Sequence, residues 1–241
     1  MAVSSMSRIV IDRGTKPRAR VGAFLVHTTG TGIIGQAQAA GQDPNRFAGE
    51  KYKTLPGYPH YLILRDGEIL SYCDELKTAA HAKWSDWEKT AYQDGSWKTK
   101  FAKDFNDDVV DVAADFYRDW DDTWGPRGYK SPLDILTQVG SGTSPNAGYI
   151  GVELLAPDKS GDSFTPSQHV SLAKLFADVA DRHNLLNGAL VEAGTLPQAW
   201  FCGHSDVGPC RRWQRHKDGS GYGWDPGSAI NWRVIEQCLT K

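Results

Sequence analysis

AGYIGVELLAP, residues 147–157, is an apolar run interrupted by a single carboxylate, Glu153. Its length and its β-branched and aromatic content read as a strand in the middle of a sheet. A carboxylate in such a place is costly unless something compensates it. Glu153 is therefore either a functional group or an edge residue turned to solvent. Two further runs supply neighbours for this strand. VGAFLVHTT (21–29) reads as a second buried strand, delivering His27 at its carboxyl end. HYLILRDGEILSYC (60–73) reads as a β-hairpin about Asp66-Gly67, a strong turn dipeptide.

Helices alternate with these strands. TPSQHVSLAKLFADVADRH (165–183) begins with a Thr165 cap, Pro166 at the first helical position and Gln168 to close a capping box. Val170, Ala173, Leu175/Phe176 and Val179 form its expected apolar stripe. SAINWRVIEQC (228–238) reads as a last helix, and the glycine-led stretch after residue 29 as a loop with a short helix. The alternation predicts one α/β domain over residues 1–241, a central mixed sheet flanked by helices. A helical, tryptophan-rich insertion at about 83–145 elaborates it, with Trp84, Trp87, Trp97, Trp120 and Trp124, and helices expected over 101–120 and 131–139.

Composition narrows the classes. Hydrophobic residues at 40% and charged residues at 23% suit a globular protein with a sizeable core. A net charge of -2 gives no global field for nucleic acid or an anionic membrane. The basic run RRWQRHK (211–217) is too local to track phosphates. No span approaches the ~20 apolar residues of a membrane helix, so no membrane insertion is expected. MAVSSMSRIVIDRG at the start lacks the apolar core of a signal peptide, so synthesis in the cytoplasm is expected. Cysteines 73, 202, 210 and 238 are too scattered for a disulfide scaffold and read as thiols, with Cys202–Cys210 and Cys210–Cys238 bridges left open. The nine tryptophans line either a groove or a core.

Three residues could hold a metal with a position left for water: His27, His204 in CGHSDVGPC (202–210), and Asp225 in GWDPG. Two imidazoles and a carboxylate are the donor set of a catalytic zinc. The same loop allows a structural zinc on Cys202, His204, Cys210 and His216. Taken singly, a strand-end histidine can be a core residue, and Asp-Pro-Gly can be a helix start. Spacing does not choose among these.

The order of the segments FLVHTTGTG, HYLILRDGEILSYCDELKTAAHA, NAGYIGVELLAP, FTPSQ, GHSDVGP and DPG does suggest a choice. Together they resemble the zinc-dependent N-acetylmuramoyl-L-alanine amidases of the amidase-2 superfamily, which includes phage lysozyme-type amidases and peptidoglycan recognition proteins. The resemblance implies hydrolysis of the amide between N-acetylmuramic acid and L-alanine in peptidoglycan. It implies a Zn2+ held by His27, His204 and Asp225, with Cys210 the alternative third ligand, and Glu153 as general base. His81, Trp84 and His60 are assigned to substrate contact.

Gly223 stands where the family often has a lysine, and Lys217 is assigned its oxyanion role, with His216, Arg211, Arg212 and Arg215 as alternatives. Pro59 stands where other members have a tyrosine, with Tyr58 and Tyr61 nearby. The expected setting is a monomeric phage endolysin reaching the wall through a membrane lesion made by another protein. A wall-recycling enzyme and a delivered toxin fit the same features, and the competing class is a non-catalytic peptidoglycan-binding module.

Overall fold

The computed structural model describes residues 7–9, 11–14, 16–18, 21–29, 31–82, 145–156, 163–185, 201–203 and 230–239. The expected insertion helices over 101–120 and 131–139, with Trp84, therefore lie outside the described residues, as do His204, Cys210, Lys217 and Asp225. The strands are β1 (Ser7–Ile9), β2 (Ala23–Thr28), β3 (Tyr61–Ile63), β4 (Ile69–Ser71), β5 (Tyr149–Leu154) and β6 (Phe201–Gly203). The helices are α1 (Thr31–Ala39), α2 (Pro44–Lys51), α3 (Pro145–Gly148), α4 (Pro166–His183) and α5 (Trp232–Leu239).

All six strands join one mixed sheet in the order β1-β4-β3-β5-β2-β6. Only the hairpin pair β3–β4 is antiparallel; β3, β5, β2 and β6 run parallel, so their carboxyl ends share one rim. The expected mixed sheet is thus present. The strand expected from residue 147 starts two residues later, because 145–148 form the helical turn α3. The stretch after residue 29 holds two helices, not one. Asp43 starts the second by accepting a hydrogen bond from the Arg46 N–H at 2.9 Å, with Pro44 beginning the helix.

Period-two alternation divides the sheet between two apolar layers. Phe24, Val26, Ile150, Val152, Leu154, Tyr61 and Ile63 face Leu172, Leu175, Phe176 and Val179 of α4 and Ile235 of α5. Leu62, Leu64, Leu70 and Tyr72 face Ile33 and Ile34 of α1 and Ala48 and Tyr52 at α2. The capping box on α4 forms as expected. Its Gln168 also reaches inward, donating to the Leu155 carbonyl at 2.9 Å and the Ile63 carbonyl at 3.3 Å. The predicted stripe needs one correction: Val170 is exposed, and Leu172 takes its place. The buried set pairs 168/169, 172/173, 175/176 and 179/180, which leaves position 170 on the outer face.

Gly67 closes the β3–β4 hairpin at φ +90°, the left-handed region glycine tolerates. A Cβ there would also come within 2.8 Å of the Ser171 hydroxyl, which donates to the Gly67 carbonyl at 2.7 Å. Helix α4 is thereby seated against the turn. Its other end is tied by Glu75, which accepts from Tyr61, Arg182 and His183, the last at 2.6 Å. Burial alone would raise the Glu75 pKa, but hydrogen bonds from His183, Arg182 and Tyr61 outweigh it and hold the carboxyl at about 2.

A carboxyl held below its unfolded value stabilises the fold above about pH 4.5 and loses that effect as pH falls through about 2. The contribution is ~3 kcal/mol at neutral pH. Urea unfolding of native protein and Glu75→Gln should therefore differ most at pH 6–7, with the difference shrinking below about pH 4. A difference independent of pH would contradict this role.

Candidate active site at the carboxyl ends of the parallel strands

Strands β2 and β5 pair in parallel from Ala23↔Tyr149 to Thr28↔Leu154, which sets His27 beside Glu153. Strand β3 continues the row, with Leu62 beside Glu153. Residues paired in this way project from the same face, on strands about 4.8 Å apart. The two functional candidates therefore emerge side by side into the α1/α2 layer. Leu25 and Gly151 lie two residues earlier on that face.

His27 is buried, at 3% exposure. Its Nε2 lies 3.1 Å from Nδ1 of His81, and the two rings meet edge to face at 5.2 Å. Glu153 is half-buried and accepts a 2.8 Å hydrogen bond at Oε1 from the Tyr52 hydroxyl. Tyr52 is the residue that ends α2, its N–H bonded back to the Ala48 carbonyl at 3.1 Å. Its ring packs in the apolar layer 6.0 Å from Tyr72, whose hydroxyl donates to the Gly49 carbonyl at 2.7 Å. The carboxylate is thus held from across the layer by a phenol in a packed position. No local pattern in EKYKT marks Tyr52 for this role, because its partner is 101 residues away.

His60, expected at the substrate, lies inside the sheet layer. The ring is fully buried at 0% exposure. Its Nδ1 accepts from the Gly151 N–H at 2.9 Å, which places the ring proton on Nε2, 3.0 Å from the Lys77 carbonyl. Burial, then the adjacent Arg18 guanidinium, push its pKa down to about 3. His60 joins β3, β5 and the loop around Lys77. Sequence showed only a histidine opening a strand; its burial follows from β5 lying on one side and the 73–78 loop on the other.

Arg18 is the cation of this core. It donates from Nε to the Glu75 carbonyl at 2.6 Å and from Nη1 to the Tyr149 carbonyl at 2.8 Å. Burial lowers its pKa to about 10, so it stays charged at neutral pH. His81 is set by Asn146, whose side-chain oxygen accepts from the N–H groups of His81 (3.0 Å) and Ala82 (2.8 Å), while its amide donates to the Ala82 carbonyl at 2.7 Å. Arg18 and Asn146, like Tyr52, escaped the sequence reading.

A buried imidazole with one ring nitrogen held by a partner is the arrangement that metal-binding histidines have, so His27 fits a zinc donor. Among the described residues no group of three or more His, Cys, Asp or Glu is gathered around one point. Strand β6 ends at Gly203, one residue before His204 in the chain, and its last pair is Val26↔Gly203, one residue before His27. The second expected ligand therefore follows in sequence from the strand bordering His27.

The parallel rim of the mixed sheet thus sets an imidazole beside a carboxylate. The chain belongs to the amidase-2 family, N-acetylmuramoyl-L-alanine amidase, whose profile matches residues 17–228. No match was found among curated proteins. A solved structure described as the crystal structure of a Se-Met AmpD derivative aligns over 98% of this chain and 96% of its own, at 20% identity and a TM-score of 0.49.

With Nδ1 of His60 occupied by the Gly151 N–H and the ring pKa near 3, the His60 imidazole should stay neutral well into acid. Its ring resonances in a pH titration should not move above about pH 4, whereas an exposed histidine titrates near ~6.5. Movement near pH 6 would place His60 in contact with solvent.

Proposed function

We propose that this protein is a zinc-dependent amidase that hydrolyses the amide between N-acetylmuramic acid and L-alanine in peptidoglycan. The observation carrying this reading is the registered pair His27 and Glu153, with Glu153 held by Tyr52, in a chain of the amidase family. His27, His204 and Asp225 are the proposed zinc ligands. The chemistry a bound zinc supplies is polarisation of the amide carbonyl and a water whose pKa falls from about 15.7 towards ~7.

The chain's own residues do the rest. Glu153 takes the proton from the attacking water as oxygen bonds to the carbonyl carbon. Tyr52 fixes Oε1, so the carboxylate does not rotate away. As the C–N bond breaks, Glu153 returns the proton to the leaving nitrogen of L-alanine. Lys217, or another cation of 211–217, is the proposed partner of the developing oxyanion. The proposed setting is a lytic enzyme acting on the cell wall, and a wall-recycling amidase carries the same six ordered segments. Among the described residues no helix is long and apolar enough to cross a membrane.

Digestion of purified peptidoglycan with mass analysis of the products tests the reading. The native enzyme should release stem peptides beginning at L-alanine, cease after chelation and recover with zinc. Glu153→Gln should lose on the order of 10²–10⁴-fold in kcat. A folded, zinc-loaded protein that frees no peptide from several wall types would overturn the amidase and leave a wall-binding module.

Tyr52→Phe keeps the packed ring and removes one hydrogen bond to a charged group, worth ~1.5 kcal/mol. Its kcat should drop about tenfold, with Tm little changed. An unaltered kcat would remove Tyr52 from the account.

A further inference from the structure

We propose that His81 is a positioning residue for His27: it accepts a hydrogen bond from the His27 Nε2–H and thereby makes Nδ1 the nitrogen that His27 offers to a metal ion. This rests on the zinc amidase reading above, and it moves His81 from the substrate to the metal side of the site. At 3.1 Å, Nε2 of His27 and Nδ1 of His81 share one proton. A neutral imidazole has one donor and one acceptor. With the proton on Nε2 of His27, the lone pair lies on Nδ1, where a metal can take it. With the proton on His81 instead, the lone pair of His27 is spent on the hydrogen bond. Only the first arrangement serves a ligand.

The seat of His81 is built for this contact and not for a passing substrate. The ring lies directly over Gly151 of β5, where a Cβ would fall 2.3 Å from Cγ, 2.5 Å from Cδ2 and 2.6 Å from Nδ1. Glycine at 151 is therefore what admits the imidazole to the sheet. From the other side His60 meets it edge-on at 5.7 Å, and His60 is itself bonded to the Gly151 N–H. Asn146 clamps the backbone of residues 81 and 82 with three hydrogen bonds. Backbone clamp, missing Cβ and neighbouring ring together aim Nδ1 of His81 at His27.

Zinc affinity measured by competition with a chromophoric chelator tests the proposal, using native protein, His81→Ala, His81→Asn, Gly151→Ala and, as the limit, His27→Ala. Removing the partner of a metal-bound histidine costs about 10–100-fold in affinity, and that loss is expected for His81→Ala. Asparagine carries Oδ1 on Cγ, where histidine carries Nδ1, so His81→Asn should recover most of it. Gly151→Ala, with His81 present but displaced, should weaken zinc as well. Nitrogen-15 spectra of the zinc-loaded protein should show His27 protonated at Nε2.

Unchanged affinity in His81→Ala with a raised KM for peptidoglycan would return His81 to the substrate. A loss as large as that of His27→Ala would make it a ligand, and His27 protonated at Nδ1 would reverse the hydrogen bond; each overturns the proposal. A native protein that takes up no zinc would overturn both readings. One that takes up zinc and cleaves peptidoglycan, with His81→Ala unchanged, would overturn this one alone.

Discussion

The parallel register of β2 against β5 is the constraint on which the site depends. Six consecutive pairs, Ala23↔Tyr149 to Thr28↔Leu154, put His27 and Glu153 on one line and one face. A slip of one residue would turn one of the two strands over. Either the imidazole or the carboxylate would then enter the apolar layer formed with α4, where Phe176 and Leu172 are fully buried. Burying an unpaired charge there costs more than the strand pairing could offset. Hydrophobic alternation and the chemistry of the site thus specify the same register.

Around this pair the protein spends its buried polar groups on holding backbone in place. Gln168 ties the ends of β3 and β5, and His60 joins β3 to β5 through the Gly151 N–H. Arg18 fastens the start of β5 to the loop at Glu75, and Glu75 in turn fastens α4. His169 links α4 to the start of α5, its Nε2 accepting from the Asn231 N–H at 3.0 Å. Each of these groups is satisfied by partners far away in sequence, which fixes the packing of layers as well as their composition. These ties position the rim that carries His27 and Glu153, as a site that acts by orientation requires.

Much of this was legible in the sequence because it is local. The strand ending at His27, the Asp66-Gly67 hairpin, the α4 capping box and the strand carrying Glu153 all declare themselves within ten or so residues. What stayed hidden is long-range. Tyr52 reaches Glu153 across 101 residues, and Asn146 holds His81 across 65. Arg18 meets Tyr149 across 131, and no spacing rule connects such positions. The burial of His60 was hidden for the same reason: a histidine opening a strand looks available until its two covering neighbours are known. Val170 failed more simply: Ala173, Leu175/Phe176 and Val179 of the expected stripe are buried, and only its first position was set on the outer face.

The most direct test of the account is an anomalous difference map across the zinc absorption edge, from crystals of the zinc-loaded protein. The expected result is one strong peak at roughly 2.0–2.1 Å from a ring nitrogen of His27, on the Glu153 side of the sheet and not bonded to that carboxylate. A peak held by Cys202 and Cys210, with no bond to His27, would contradict it and make the metal a structural one.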